Sequence, residues 1–287
     1  MCELLGLTSS APVTTNLSLP TLASHGASTG AYPDGWGVGF YEGQDVRLLK
    51  EATGPAESDW IQFVANQNLR SRLVIAHTRH ATRGTRSYAN AQPFVRELGG
   101  RAHLFAHNGD VPGVFDPGAF GTGRFTPIGE TDSERAFCIL LDRLASSWTD
   151  RDNPPTLRAR FQIVSSLATQ LRTLGPANFL YSDGDFLFAH AHRRKQSHTG
   201  RVEPPGLVLL QRQCHEGEQS VAGKGIAIAG IEQFIALIAS VPLTSELWEP
   251  LGEGELVVAS GGRIAARHLP HESAFRIEPS FEPVPTS

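Results

Sequence analysis

Thr131-Asp-Ser-Glu-Arg-Ala-Phe-Cys-Ile-Leu-Leu-Asp-Arg-Leu144 is the clearest helix in the chain, and the fold reading turns on what lies either side of it. Thr131 and Glu134 stand at capping-box spacing, and Phe137, Leu140, Leu141 and Leu144 recur at helical intervals. A second helix is expected over 156–174, with Phe161, Val164, Leu167, Ala168, Leu171 and Leu174 on one face and Gly175-Pro176 as its stop. Ahead of this helical pair, strand-like runs cover 2–7, 36–42, 45–51, 73–81 and 103–111, with a short helix over 59–66. A turn-rich segment, 8–34, separates the first strand from the second. After the helices, strands resume over 178–182, 185–190, 207–211, 235–240 and 256–259. Asp183-Gly184 and Gly261-Gly262 are turn pairs of the kind that close antiparallel hairpins. Strands, two helices and strands again predict an α+β chain, with two antiparallel sheets enclosed by helices. The 193–206 stretch, with Arg193-Arg194-Lys195 and Pro204-Pro205, is expected as an exposed loop. The Pro-rich tail 271–287 is expected to be loosely held.

The chain has 287 residues, enough for one large domain or two small ones. Hydrophobic residues make up 40% and charged ones 19%, which supports a sizeable core and excludes disorder. Lys and Arg number 25 against 29 Asp and Glu, for a net charge of -4 with no long run of either sign. Nucleic acid and anionic membranes are therefore not expected as partners. The longest apolar stretch, 225–241, is interrupted by Glu232 and Gln233 and falls short of the roughly 20 apolar residues of a spanning helix. The opening Met1-Cys2-Glu3 lacks the basic start and apolar run of a secretory signal, so a soluble, cytoplasmic protein is expected. Three cysteines, Cys2, Cys138 and Cys214, are odd in number and fit no zinc spacing. Neither a disulfide framework nor a metal is expected, and a special cysteine must be special for its reactivity.

Cys2 is the first candidate. With Met1 removed, as is usual before a small second side chain, one residue carries both a thiol and a free α-amine. That amine has a pKa of about 7.7 to 8.0, so it is available as a base near neutral pH. The alternative is a small buried hydrophobe in a first strand. His77-Thr-Arg-His-Ala-Thr-Arg-Gly84 ends an apolar strand, and Arg79 within it offers a planar fork to a carboxylate. His77 and His80 are three apart and point to opposite strand faces, a poor metal site; a solvated strand end is the plain alternative. Asn108-Gly109 pairs a side-chain amide with a glycine N–H, which suits either a two-donor oxyanion hole or a two-residue hairpin turn. Asp132 lies in the first turn of the capped helix, where the dipole favours a carboxylate and where it can hold an ammonium.

Asp34-Gly-Trp-Gly-Val-Gly-Phe40 fails the dinucleotide fingerprint, because no helix follows and the third glycine would fall at Phe40. It reads as a strand closely approached by another backbone. Gly26-Ala-Ser-Thr-Gly30 matches a serine-hydrolase elbow in letters only, since Tyr32-Pro33-Asp34-Gly35 follows in place of a helix.

Cys2, Asp34-Gly-Trp-Gly, the 77–84 arginine motif, Gln92-Pro-Phe, His107-Asn-Gly and Glu130-Thr-Asp-Ser-Glu stand in one order. That order and spacing resemble class II glutamine amidotransferases, in particular their small stand-alone bacterial branch. The resemblance covers roughly the first 145 residues and is looser beyond them. It implies an N-terminal nucleophile hydrolase fold, a four-layer αββα sandwich, with 1–270 as a single glutamine amidotransferase domain and no synthase domain. It also implies roles. Cys2 attacks a γ-glutamyl amide, Asn108 and the Gly109 N–H hold the oxyanion, Arg79 clamps the α-carboxylate with Thr82 assisting, and Asp132 binds the α-ammonium. Arg83 departs from the pattern, since many relatives carry a histidine there, and Gln92 stands where some synthase-linked relatives have one.

Three functions are open at this level. The first is a glutaminase that hands ammonia to a partner enzyme. The second is a γ-glutamyl hydrolase with a larger leaving group and water as acceptor. The third is an inactive glutamine-binding module, which would have lost Cys2 or Asn108. No cofactor is expected for any of them.

Overall fold

The computed structural model describes residues 2–17, 33–67, 69–80, 84–214, 221–223, 226–229, 232–270 and 276–277. One antiparallel sheet holds β1 (Glu3–Leu17), β2 (Gly35–Glu42), β3 (Asp45–Glu51), β4 (Arg70–Arg79), β11 (Val208–Cys214), β14 (Gln233–Ala239) and β15 (Glu249–Pro250). Their order is β15-β11-β14-β1-β4-β2-β3, and β13 (Ile226–Ala229) joins β1 to β12 (Val221–Gly223). A second antiparallel sheet holds β5 (Phe94–Leu98), β6 (Arg101–Gly109), β7 (Ala177–Ser182), β8 (Leu187–His190), β16 (Leu256–Ser260), β17 (Arg263–His268) and β18 (Arg276–Ile277). Its order is β18-β17-β16-β8-β7-β6-β5, with β6 and β7 joined through the helical pair and β8 pairing with β16 from much later in the chain. The main helices are α1 (Asp59–Asn66), α2 (Asp132–Leu144) and α3 (Leu157–Leu174).

Alternation along the strands stacks these elements in layers. Leu4, Leu73 and Ile75 of the first sheet meet Leu104, Ala106, Leu180, Leu187 and Val257 of the second in a core between the sheets. On the far side of the second sheet, Phe105, Phe179, Tyr181 and Phe188 pack against Phe137, Leu140 and Leu144 of α2 and Phe161, Val164 and Leu167 of α3. On the far side of the first sheet, Leu5, Leu7, Trp36, Val38 and Val74 meet Ile61 of α1. The α+β expectation of two antiparallel sheets flanked by helices is met. No helix among the described residues is long and apolar enough to cross a membrane.

The glycines of β2 follow from the same alternation. Trp36, Val38 and Phe40 face outward, so Gly37 and Gly39 face the second sheet. A Cβ on Gly37 would collide with the Gln92 carbonyl oxygen, and one on Gly39 would lie 2.6 Å from Leu104 Cδ2. Close backbone approach, expected from the Gly-Trp-Gly-Val-Gly run, is what these glycines permit.

Three local expectations are corrected and one strand is added. The segment 8–34 is not turn throughout, because β1 runs on to Leu17, pairing with β4 and β13. Its Ser9, Ser10 and Pro12 suggest a turn, and they sit where the β1–β4 register shifts between Thr8 and Val13. The Ser28 motif lies outside the described residues. Phe94–Leu98 forms a strand the sequence did not signal, turned back onto β6 by Gly99 and Gly100 at φ 60° and 76°. The 193–206 stretch is a short hairpin of β9 (Arg194–Lys195) and β10 (Val202–Glu203), and Arg194 is buried against Glu3. The capping box is half formed. Thr131 Oγ1 accepts from the Glu134 N–H at 3.2 Å, but the Glu134 carboxylate accepts from the N–H groups of Ile128 and Gly129 and pairs with Arg96.

Candidate active site

Cys2 stands at the head of β1, next to the Glu3↔Thr78 pair that begins its ladder with β4. Parity places Cys2 with Leu4 on the face toward the second sheet. Its side chain is half-buried, and Sγ lies 3.2 Å from the His80 N–H and 3.4 Å from the His80 carbonyl. Burial pushes the thiol pKa up, while the His80 N–H, by hydrogen bonding to sulfur, pulls it down. Cys138 and Cys214 are fully buried, as structural cysteines are.

Asn108 reaches Cys2 from the opposite sheet. It shares the inner face of β6 with Leu104 and Ala106, and its Nδ2 donates to the Cys2 carbonyl at 2.6 Å. Asn108 and Gly109 are not a hairpin turn, because β6 continues through both and pairs Asn108↔Asn178 and Gly109↔Ala177 on β7. Gly109 has a steric reason to be glycine: a Cβ there would strike the Pro176 carbonyl oxygen. The neighbouring His107 faces the helices, with Nδ1 2.9 Å from Ser133 Oγ. Its backbone exchanges two hydrogen bonds with the Gln92 side chain, at 2.7 and 3.2 Å.

Arg79 ends β4 on the same inner face and is 4% exposed. Its Nη1 pairs with Asp34 Oδ2 at 2.6 Å, Nη2 donates to the Gly84 carbonyl at 3.3 Å, and the Asp34 N–H donates to the Arg79 carbonyl at 2.9 Å. Asp34 stands in the Asp34-Gly-Trp-Gly motif, to which the sequence assigns it no role. The Asp34-Gly-Trp-Gly pattern was the available signal, and the structure makes it the partner that holds the guanidinium. Thr82 and Arg83 lie outside the described residues.

Asp132 opens α2 and is buried. Its Oδ2 accepts from the Val111 N–H at 2.6 Å, just past the end of β6, and its Oδ1 accepts from the Ser133 N–H at 2.9 Å. The carboxylate is thereby tied to the strand that carries Asn108. Two of its lone-pair sites are used, and an ionised carboxylate offers about four.

His77, paired with Leu4 on one side and Gly37 on the other, is fully buried. Burial, aided by the charge of Arg79, lowers its pKa to about 3. His80, partly buried, is lowered to about 4, first by desolvation. Both are neutral near pH 7. Among the described residues, no group of three or more His, Cys, Asp or Glu could hold a metal.

Two antiparallel sheets between helices, with a thiol at the head of a central strand, define a sandwich of the N-terminal nucleophile hydrolase type. The profile of the family described as "Glutamine amidotransferases class-II" matches residues 1–280, and the chain belongs to that family. It is similar to the Escherichia coli K12 protein named "Putative glutamine amidotransferase YafJ", 36% identical over 256 residues, 89% of this chain and 96% of that protein. A crystal structure described as a predicted glutamine amidotransferase from Pseudomonas aeruginosa PA01 superposes with a TM-score of 0.65. The identity there is 30%, covering 92% of this chain and 99% of that one. Glutamine phosphoribosylpyrophosphate amidotransferase from B. subtilis shares the fold at 15% identity and a TM-score of 0.54, over 92% of this chain and 48% of that one.

Proposed function

We propose that the chain hydrolyses the γ-amide of glutamine through a thioester on Cys2, the glutaminase half of an amidotransferase reaction. The observation that carries this reading is the Cys2–Asn108 contact, a half-buried thiol residue bound across two sheets by a side-chain amide. The Asn108 amide has two hydrogens, and only one is needed for the Cys2 carbonyl. The second, with the Gly109 N–H, is the donor pair for an oxyanion, each donor being worth about 2.7 to 4 kcal/mol if preorganised.

In this mechanism Met1 is removed and the freed α-amine takes the thiol proton. Sγ then attacks the γ-carbonyl carbon, and Asn108 and Gly109 hold the charge that develops on oxygen. The α-ammonium returns the proton to the leaving nitrogen, the C–N bond breaks, and ammonia departs from a γ-glutamyl thioester. Water, activated by the same amine, cleaves the thioester and releases glutamate. Arg79, held by Asp34, clamps the α-carboxylate with Thr82 assisting, while Asp132 takes the α-ammonium. Residues 1–270 act as one glutamine amidotransferase domain in this reading, in the cytoplasm, with ammonia passed to a partner enzyme. The test is ammonia release from L-glutamine by Met-free protein and by Cys2→Ala. The reading expects turnover in the first and none in a folded second, and undiminished release by Cys2→Ala ends it.

A further inference from the structure

The proposed nucleophile and oxyanion donor sit on different sheets, and no backbone ladder joins β1 to β6. Apolar packing between the sheets sets their spacing but is non-directional. Their mutual register at this edge therefore needs polar contacts, and the chain supplies a set from three consecutive residues, the last two of which open the segment expected as an exposed loop.

His192, Arg193 and Arg194 reach both halves of the centre. On the oxyanion side, the fully buried Asn178 donates through Nδ2 to the Asn108 carbonyl at 3.0 Å and to the Arg193 carbonyl at 2.7 Å. Its Oδ1 accepts from the His192 N–H at 2.7 Å. Gly206 covers this amide so closely that a Cβ there would collide with Asn178 Oδ1. On the nucleophile side, Arg194 Nη2 pairs with Glu3 Oε1 at 2.8 Å, and Nη1 donates to the Ser240 carbonyl. Glu3 is fully buried and adjoins Cys2 in the chain, and Ser240 Oγ accepts from the Leu4 N–H at 3.0 Å.

We infer that residues 192–194 form a bracket that sets the Cys2 strand against the Asn108 strand, with Asn178 and Arg194 as positioning residues for the reaction. The inference rests on the glutaminase reading for its kinetic consequence. A loss of alignment of about 1 Å between reacting groups costs about 10²-fold in rate while leaving substrate affinity in place. Arg79 is held by Asp34 and Gly84, and Asp132 by Val111 and Ser133, all outside residues 192–194, so the loss is expected to fall on kcat more than on KM.

The experiment uses full-length, Met-free protein, with L-glutamine as substrate and iodoacetamide labelling of Cys2, read by peptide mass as a function of pH. Asn178→Asp keeps size and the His192 bond but sets an acceptor against two carbonyl oxygens. Arg194→Ala removes the ion pair, and Arg194→Lys restores its charge. Asn178→Asp and Arg194→Ala are expected to lower kcat by about 10²-fold with a smaller effect on KM, and Arg194→Lys to recover part of the loss. In Arg194→Ala the pH profile of Cys2 labelling is expected to differ from the parent's, because Arg194 no longer holds the buried Glu3 that adjoins Cys2 in the chain. Unchanged kcat in folded Asn178→Asp and Arg194→Lys overturns the bracket, even where Arg194→Ala does not fold. Should the parent protein release no ammonia, the glutaminase reading fails by itself. The labelling arm then decides the bracket, and a pH profile identical in parent and Arg194 variants overturns it.

Discussion

The Asn108 side-chain amide donates to the Cys2 carbonyl at 2.6 Å, joining residues 106 positions apart and binding the head of β1 in one sheet to the end of β6 in the other. Asn108 lies in a paired strand and not in a turn, and the proposed mechanism gives its second amide hydrogen to the oxyanion. Asn108→Ala is expected to lower kcat for glutamine by roughly 10² to 10³. Steady-state kinetics on Met-free protein check it, and an unchanged kcat reduces the contact to a structural tie.

Arg79 is presented by its partner. The pair with Asp34 at 2.6 Å leaves the guanidinium buried yet oriented, and a lysine cannot reproduce a planar fork held on one side while it binds on the other. Arg79→Lys is expected to raise KM for substrates with a free α-carboxylate more than it lowers kcat, and Asp34→Asn to shift KM in the same direction. Comparing glutamine with an analogue lacking that carboxylate is the check; equal losses on both contradict the clamp.

Gly37 tests the close approach of the Gln92 backbone to β2. A Cβ would meet a carbonyl oxygen and the Lys50 Cβ at 2.7 Å, neither of which is the free end of a flexible side chain. Gly37→Ala is expected to destabilise the fold by about 1 to 3 kcal/mol. Urea unfolding followed by circular dichroism measures it, and a midpoint equal to that of the parent contradicts the packing described.

Acid sensitivity follows from His77. Its pKa, lowered by burial to about 3 from 6.5, keeps the ring neutral in the fold, whereas the unfolded chain takes up a proton as pH falls below 6.5. The folded state is favoured fully above that value and progressively loses this contribution as pH drops toward about 3. His77→Leu is expected to flatten the loss of stability by up to about 1.4 kcal/mol per pH unit below pH 6.5. Unfolding curves at several acidic pH values decide it, with identical slopes in parent and variant as the contrary result.

The sequence showed what is local or periodic. The α2 cap at Thr131, the helical face of α3 and the alternation of β2 each lie within a few residues of one another, and each appears in the fold. Asn108-Gly109 was undecided because its resolution comes from β7, some 70 positions away, which extends β6 past the point where a hairpin would turn. The burial of Arg194 is hidden from the sequence for the same physical reason. Arg193-Arg194-Lys195 reads as a solvated charge run until Glu3, 191 positions earlier, is known to neutralise the middle residue. Asp34 was visible in its motif, but its link to Arg79 exists only once β2 and β4 pair. Of the proposed site, Cys2, Arg79, Thr82, Asn108, Gly109 and Asp132 are named from the sequence motifs and the family resemblance, while Asn178, Glu3 and Arg194 are not and Asp34 stands in a motif without a role.

The central claim is a covalent step at one sulfur. Met-free protein, its N-terminus verified by mass, should be mixed with L-glutamine, quenched in acid within the first turnovers and digested for peptide mass analysis. The account predicts a single γ-glutamyl group on the peptide that begins with Cys2, appearing with the first ammonia and absent from Cys2→Ala. Ammonia release with no acyl group on Cys2 under quench conditions that preserve thioesters, or release undiminished in Cys2→Ala, would contradict it.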